Sequence, residues 1–434
     1  MTEMAQSMHG TIVAKIFDRA GLVRISDGLA VALAVSLPWS TSATEILAVL
    51  WLLAFIPTLD LAVLRRELLT PAGGVPVLLC ALGLVGMLWA DVPLDERIAG
   101  FKSYYKLLFI PLLMVHFRRS DRGWWVMVGF LMSCGVLLAV SWGLLLIPGL
   151  PWRGKALGIP VKDYISQSAM FTVCLMVVAD LALDGWRKAR LDLALVFVLL
   201  ALVFLANIFY IATSRTALVV LPILLLLFGL KRFNWKGAVG LLVALVVLAA
   251  AAWPSSEFLR LRVSTFTQEV HNYRMENART SAGERLEFWK KSLGFVAEAP
   301  VIGHGTGTIH EQFRRSASGE TGASALVSTN PHNQTLAVAI QLGLVGTAVL
   351  FAMWIAHLLM FRGEGLAAWI GLVVVVQNMI GSLFNSHLFD FTHGWGYVIG
   401  VGVAGSIVSA ARSRWPASSA NGEASKIRNK VEVL

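Results

Sequence analysis

The feature that most constrains this chain is a succession of long apolar runs separated by short charged connections and, once, by a long polar stretch. Twelve runs can be drawn, over 25–41, 43–64, 74–90, 100–117, 124–147, 164–183, 192–212, 214–230, 236–253, 334–361, 366–386 and 390–411. A helix needs roughly 20 apolar residues to cross the hydrocarbon core of a bilayer. The runs are continuous rather than alternating, which points to helices and away from a barrel. Composition agrees, with 57% hydrophobic and 14% charged residues, against about a quarter charged in soluble chains. The expected fold class is an all-α polytopic membrane protein with about 12 transmembrane helices and one large loop containing amphipathic helices. The expected division is transmembrane helices 1–9 in 1–253, the loop in 254–333, helices 10–12 in 334–411 and a tail in 412–434.

Basic residues set an orientation. Lys15, Arg19 and Arg24 precede the first run, and every second connection is short and basic: Arg65-Arg66, then Arg118, Arg119 and Arg122, then Arg187, Lys188 and Arg190, then Lys231, Arg232 and Lys236, then Arg362. Short loops rich in Lys and Arg stay in the cytoplasm. With twelve spans both termini are then cytoplasmic and the loop 254–333 lies outside. Its nine Lys/Arg do not oppose this, because long loops cross regardless of charge. The formal charge of +10 follows mostly from this placement, so no nucleic-acid partner is expected. The first 24 residues lack the apolar core and cleavage site of a signal peptide, so the first span is expected to be retained. Cys80, Cys134 and Cys174 lie in apolar runs without metal-ligand spacing and read as small core residues.

The loop is too long to be structureless. "SEFLRLRVSTFTQEV" reads as one helix. "SAGERLEFWKKSLGFVAEAP" reads as a second, with Ser281 and Glu284 in capping-box spacing, an apolar stripe at Leu286, Trp289, Leu293 and Val296, and a stop at Pro300. Arg285 stands in the first turn of that helix, where the dipole disfavours a cation unless an anion is bound; a solvated charge is the plainer alternative. Arg215, in "YIATSRTALVV", stands at the outer end of a span. It either snorkels to the interface or clamps an anion through its fork of donors.

"STNPHNQTLAVAIQLGLVG" opens polar and turns into an apolar run that continues to Phe361. His332, at its outer lip, is suited to taking a proton near neutral pH, or is an interfacial histidine bonded to loop backbone. Asn330 is a candidate helix cap. His387 and Asp390, in "FNSHLFDF", either support a site or face water. "VIGHGTGTIHEQF" lacks Walker spacing and reads as a tight turn; His304 and His310 have no carboxylate or cysteine nearby, so no metal site is expected. Lys102 and Lys106, four apart and assigned to one helix face, join Arg153, Lys155 and Lys162 on the side the charge rule disfavours. They suggest a bound polyanion, either a lipid head group or a phosphorylated sugar.

"TSRTALVV", "GERLEFWKKSL", "GHGTGT" and "HNQTLAVAIQLGLVG" resemble, in order and spacing, the bacterial O-antigen ligase group. That group shares a superfamily with O-antigen polymerases and protein O-oligosaccharyltransferases. The resemblance covers roughly 205–400. It implies an integral-membrane glycosyltransferase of GT-C type in the inner membrane, with its site facing the periplasm. The implied donor is O-antigen polysaccharide on undecaprenyl diphosphate and the implied acceptor a sugar hydroxyl of lipid A–core, with no cofactor and no metal. The family's two arginines fall on Arg215 and Arg285 and its histidine on His332, implying a diphosphate clamp and a general base. Lys102, Lys106, Arg153, Lys155, Asn333 and Asp390 are the expected substrate-binding residues. Arg314-Arg315 departs from the family pattern. A polymerase or a protein glycosylating enzyme is the alternative within the superfamily. A transporter is the alternative outside it, disfavoured because span centres carry almost no charge.

Overall fold

The computed structural model describes residues 18–431 apart from 148, 150, 151, 153 and 155. Arg153 and Lys155 therefore lie outside the described residues. Among the described residues the chain is helical throughout, without strands. Helices are α1 (Arg19–Ser36), α2 (Thr41–Phe55), α3 (Leu61–Leu68), α4 (Pro71–Val85), α5 (Leu94–Phe101), α6 (Phe109–Arg119), α7 (Gly123–Leu146), α8 (Tyr164–Arg187), α9 (Leu191–Tyr210), α10 (Arg215–Arg232) and α11 (Trp235–Ala252). They continue with α12 (Glu257–Glu276), α13 (Ser281–Glu298), α14 (Ile309–Ala317), α15 (Gln334–Met360), α16 (Leu366–Gly381) and α17 (Phe391–Val431).

Among the described residues eight helical stretches are long and apolar enough to cross a membrane, or nine if α3 and α4, bent by 86° at Thr70-Pro71, count as one. The runs at 25–41, 214–230 and 366–386 also fold as helices. Two of them, α1 and α10, carry three charges each, and α16 has only 16 residues. Two buried clusters hold the bundle. One joins α1, α2, α4, α6, α15 and α17 through Leu33, Trp51, Leu79, Ile110, Leu350 and Val401. The other joins α7 to α10 with α16 through Leu138, Phe171, Phe204, Leu224 and Trp369. Elsewhere the helices turn apolar side chains outward, as with Val243, Val246 and Val247 of α11, the pattern of a surface solvated by lipid.

The long polar segment folds into α12, α13 and α14. The cap of α13 is Thr280, whose hydroxyl accepts from the Gly283 N–H, and not Ser281. Its buried face is Phe288, Ser292 and Phe295, one position off the expected stripe, because these aromatic rings meet Phe313; Leu293 is exposed. Arg314 and Arg315 pair with Glu311, and Arg315 also with Asp91.

The apolar run after His332 is not one continuous helix. Gly343 sits at φ 62°, ψ −157°, breaking α15. Four backbone hydrogen bonds enter the break. His304 N–H donates to Ile340 O and Gly305 N–H to Gln341 O, while Leu344 N–H donates to Pro300 O and Val345 N–H to Val301 O. The glycine-rich turn packs backbone to backbone: Gly303, Gly305 and Gly307 all have positive φ, against Gln341, Ala90 and Glu96 respectively. Only a residue without Cβ tolerates both that conformation and that approach. The turn thus welds the polar segment to α4, α5 and α15.

A Cβ at Gly343 would lie 2.3 Å from Val301 O, in a backbone conformation that costs an L-residue about 1–3 kcal/mol. Gly343→Ala is expected to lower the thermal unfolding midpoint in detergent by several degrees, roughly the scale such an energy implies. Gly135→Ala, inside α7 with nothing within 4 Å, is expected to hold or raise it. Equal midpoints for wild type and Gly343→Ala would contradict the weld.

Candidate functional site

Three segments distant in sequence converge where the polar helices meet the bundle. Ser214 caps α10 with its hydroxyl and so fixes the first turn that carries Arg215. The guanidinium of Arg215 makes a bidentate pair with Glu269 of α12, at 2.9 and 2.7 Å, and reaches Thr265 Oγ1 at 3.3 Å. Both members are about four-fifths buried. Glu269 Oε2 also accepts the Ala282 N–H at 3.0 Å, and its carbonyl accepts the Thr280 hydroxyl. One carboxylate therefore joins α10 to the N-terminus of α13, one turn before Arg285.

Arg285 is half-buried and, among the described residues, has no hydrogen bond or ion pair. Burial, and next the like charge of Arg215, pull its guanidinium down from the ordinary value; Tyr164, Glu269 and Glu284 pull the other way. It is a cation without a counter-ion of its own, close to a second cation whose charge is already matched.

His332 has φ 53°, in the left-handed region. A non-glycine residue seldom occupies it without local compensation. Here the compensation is Asn330, whose Oδ1 accepts the His332 N–H at 2.8 Å and the Ser386 hydroxyl at 2.7 Å. Because Oδ1 is taken by a backbone donor, the other end of the Asn330 amide is the NH2, and it donates to Asn385 Oδ1 at 2.8 Å. That same oxygen lies 3.1 Å from His332 Nδ1, so Nδ1 must carry the proton. The neutral tautomer is thereby assigned by the network. Nε2 keeps its lone pair and has no hydrogen-bond partner among the described residues. Phe288 stacks on the imidazole at 5.9 Å and 13°, and Trp289 Nε1 donates to the His332 carbonyl.

Burial lowers the His332 pKa from 6.5, the Arg285 charge lowers it further, and the Asn385 bond acts in the opposite sense. The shift favours the neutral ring. What the arrangement can do is accept a proton at Nε2 beside the Arg285 guanidinium.

The other expected residues take different places. Asn333, not Asn330, is the cap of α15; its Oδ1 accepts from Leu336 N–H and its Nδ2 donates to Leu383 O. Lys102 and Lys106 do not share a helix face. Helix α5 ends at Phe101, and a turn and a short 3-10 segment intervene. Lys102 is exposed, whereas Lys106 is buried and donates to the Phe389 and Asp390 carbonyls at 3.1 and 2.8 Å. It therefore ties the 3-10 segment before α6 to the residues that lead into α17. Lys162 donates to Thr392 Oγ1 at 2.8 Å. Asp390 accepts from His393 at 2.7 Å. His387 does not face water: it is buried, stacks on His393 at 4.0 Å, and neither ring nitrogen has a partner among the described residues.

The segment 385–393 separates two spaces. His387, Thr392 and His393 face an apolar groove between α7, α8, α16 and α17, lined by Trp124, Met170, Val173 and Ile370. His387 also borders a small gap with Ser168, Ser214 and Thr216, at the start of α10. Ser386, Phe389 and Asp390 face a cavity of about 510 Å³ that Asn330 also lines. Glu269, Asn330 and Asn385 are the residues of this centre that sequence reasoning missed or misassigned. Asn330 was read as a helix cap, Asn385 was visible only as a polar residue near His387, and Glu269 only as one charge on an amphipathic helix.

Diethyl pyrocarbonate attacks neutral imidazole, so peptide-resolved labelling of His332 against pH reads its titration. The expected midpoint lies below 6.5. Arg285→Gln removes a like charge that disfavours the imidazolium, so the midpoint is expected to rise. A midpoint indifferent to Arg285 would separate the two residues.

The family model described as O-Antigen ligase matches residues 200–351. A Haemophilus influenzae protein described as uncharacterized is 27% identical over 154 residues, 34% of this chain and 39% of that one; the match spans well under two thirds of that relative. Arg215, Arg285 and His332 all fall inside 200–351. The chain is thus similar to the O-antigen ligase family over 200–351, the region in which these three residues converge.

Proposed function

We propose that this protein is an O-antigen ligase of the bacterial inner membrane. It transfers O-antigen polysaccharide from undecaprenyl diphosphate to a sugar hydroxyl of lipid A–core on the periplasmic face. The observation that carries this reading is the His332 tautomer: Nδ1–H is committed to Asn385 and Nε2 is open, beside the unmatched Arg285 charge. Nε2 takes the proton of the acceptor hydroxyl. The freed oxygen pair attacks the anomeric carbon from the face opposite the diphosphate. The anomeric C–O bond breaks, its electrons leave on the diphosphate, and the configuration inverts. Arg285 receives the developing negative charge, and Arg215 joins it as Glu269 yields. Fixed guanidinium groups aimed at a leaving diphosphate supply the electrostatic stabilisation that such a transfer needs. The apolar groove, beginning at His387 and bordered through the small gap by the start of α10, suits the polyprenyl tail of a donor entering from the membrane.

Purified protein in liposomes, given polyprenyl-diphosphate glycan and rough lipopolysaccharide with chelator and without ATP, is expected to transfer the glycan. His332→Ala is expected to lose about 10²–10⁴-fold in rate, the usual contribution of a general base. Arg285→Lys keeps the charge but loses the planar fork and is expected to lose activity as well. Wild-type-like transfer by His332→Ala would remove it as the base. Elongation of one glycan by another, with the lipid acceptor ignored, would make the protein a polymerase.

A further inference from the structure

The cavity of about 510 Å³ beside Asn330 is unlike the rest of the centre. Arg285 leaves the centre at His332 with a positive charge that has no ion pair of its own, and the chain as a whole is strongly basic, with Lys106 and Lys162 close behind Asp390. Yet among the described residues no Lys or Arg lines this cavity, and two carboxylates do, Glu96 and Asp390. Each has an oxygen unused by the protein. Asp390 bonds only through Oδ1, to His393, which leaves Oδ2; among the described residues no hydrogen bond engages the Glu96 side chain, whose Oε2 is buried, which leaves Oε1. Ser103 supplies a neutral hydroxyl, while Gln341 in the wall is already bonded to Gly307, Tyr104 and Ala337. The floor is rigid, because Gly307 is pressed against Glu96 and Gly100 in the glycine-rich weld and donates its N–H to Gln341 Oε1.

Position matters as much as composition. Asn330 and Ser386, which hold the His332 backbone in place, are themselves in the cavity wall. The neighbouring His387 faces the apolar groove instead. The volume falls within the roughly 300–1,000 Å³ usual for small-ligand sites. Carboxylate oxygens accept hydrogen bonds from hydroxyls strongly and repel phosphate at this range.

We propose that this cavity is the acceptor subsite of the ligase reading above, on which the proposal rests, and that it takes uncharged, hydroxyl-rich sugar rings through Glu96 and Asp390 while rejecting phosphorylated ones. Charge then sorts the two substrates. The diphosphate goes to the arginines, and the hydroxyls go to the carboxylates, beside the Asn330 that holds His332.

The test uses the full-length protein in liposomes and measures KM separately for polyprenyl-diphosphate glycan and for two lipid-linked acceptors, with and without a phosphate on the terminal ring. Wild type is expected to use the unphosphorylated acceptor at least about tenfold better in kcat/KM, and Glu96→Gln to narrow that gap. Ala99→Trp, at an exposed position in the cavity wall, is expected to raise the acceptor KM about tenfold and leave the donor KM within about twofold. An unchanged donor KM also shows that the variant is folded. A rise in donor KM instead would assign the cavity to the donor glycan and overturn the proposal, as would equal use of both acceptors. Absence of any transfer by wild type, with folded protein, would bring down the ligase reading itself, an outcome distinct from normal transfer with an acceptor KM indifferent to the cavity.

Discussion

Four backbone hydrogen bonds across the break at Gly343 decide how the rest of this structure is held. An unbroken helix satisfies its own carbonyls and N–H groups and offers neighbours only side chains. By breaking, α15 exposes the carbonyls of Ile340 and Gln341 and the N–H groups of Leu344 and Val345. In an interior without water such groups must be paired, and the turn at 300–305 pairs them. The polar helices are therefore fastened by main chain rather than by a surface patch. The short half-helix from Gln334 to the break is clamped at its start too. Gln334 N–H donates to Ser382 O, and its Oε1 accepts from the Leu388 and Phe389 N–H groups. His332 stands immediately before this doubly held segment.

The centre is assembled from residues whose roles depend on one another. Asn330 supports an unfavourable backbone conformation, and in doing so fixes its own amide orientation, which fixes that of Asn385, which fixes the proton on Nδ1. A single backbone hydrogen bond thus reaches through two side chains to decide which imidazole nitrogen is basic. Chains of this kind are worth more than their pairwise parts, because each member removes a freedom from the next. They also explain why the strained φ sits at His332 and not elsewhere in the turn: strain persists where the surroundings over-determine it.

Much of the fold was legible because apolar length and helical period are local properties. The helix boundaries around α12 and α13 followed from "SEFLRLRVSTFTQEV" and "SAGERLEFWKKSLGFVAEAP", although the burying face of α13 did not. Leu286, Trp289, Leu293 and Val296 form as good a stripe as Phe288, Ser292 and Phe295, and only the partner Phe313 chooses between them. The span count was less legible. Thr70-Pro71 bends a segment by 86°, and Lys102 ends a helix that hydropathy alone continues. The site was legible as residue types, not as pairs. Arg215 and Glu269 are 54 positions apart, and His332 and Asn385 are 53 apart. No spacing rule reaches that far. Lys106 is the other case: a cation assigned from the sequence to a bound polyanion is buried and donates to two backbone carbonyls.

Glu269 has a consequence for traffic through such a centre. An anion arriving at Arg215 finds a carboxylate already seated there bidentately and anchored to the Ala282 N–H on its other flank. Because it is part of the same fold, that carboxylate competes at a high effective concentration. Free phosphate, which offers charge and nothing else, has to win that contest unaided. A molecule that also brings a long apolar chain can spend the burial of the chain on displacing the carboxylate. If Arg215 takes the diphosphate as proposed, Glu269 acts as an internal decoy, closing Arg215 to small ions and yielding to anions that arrive with a tail.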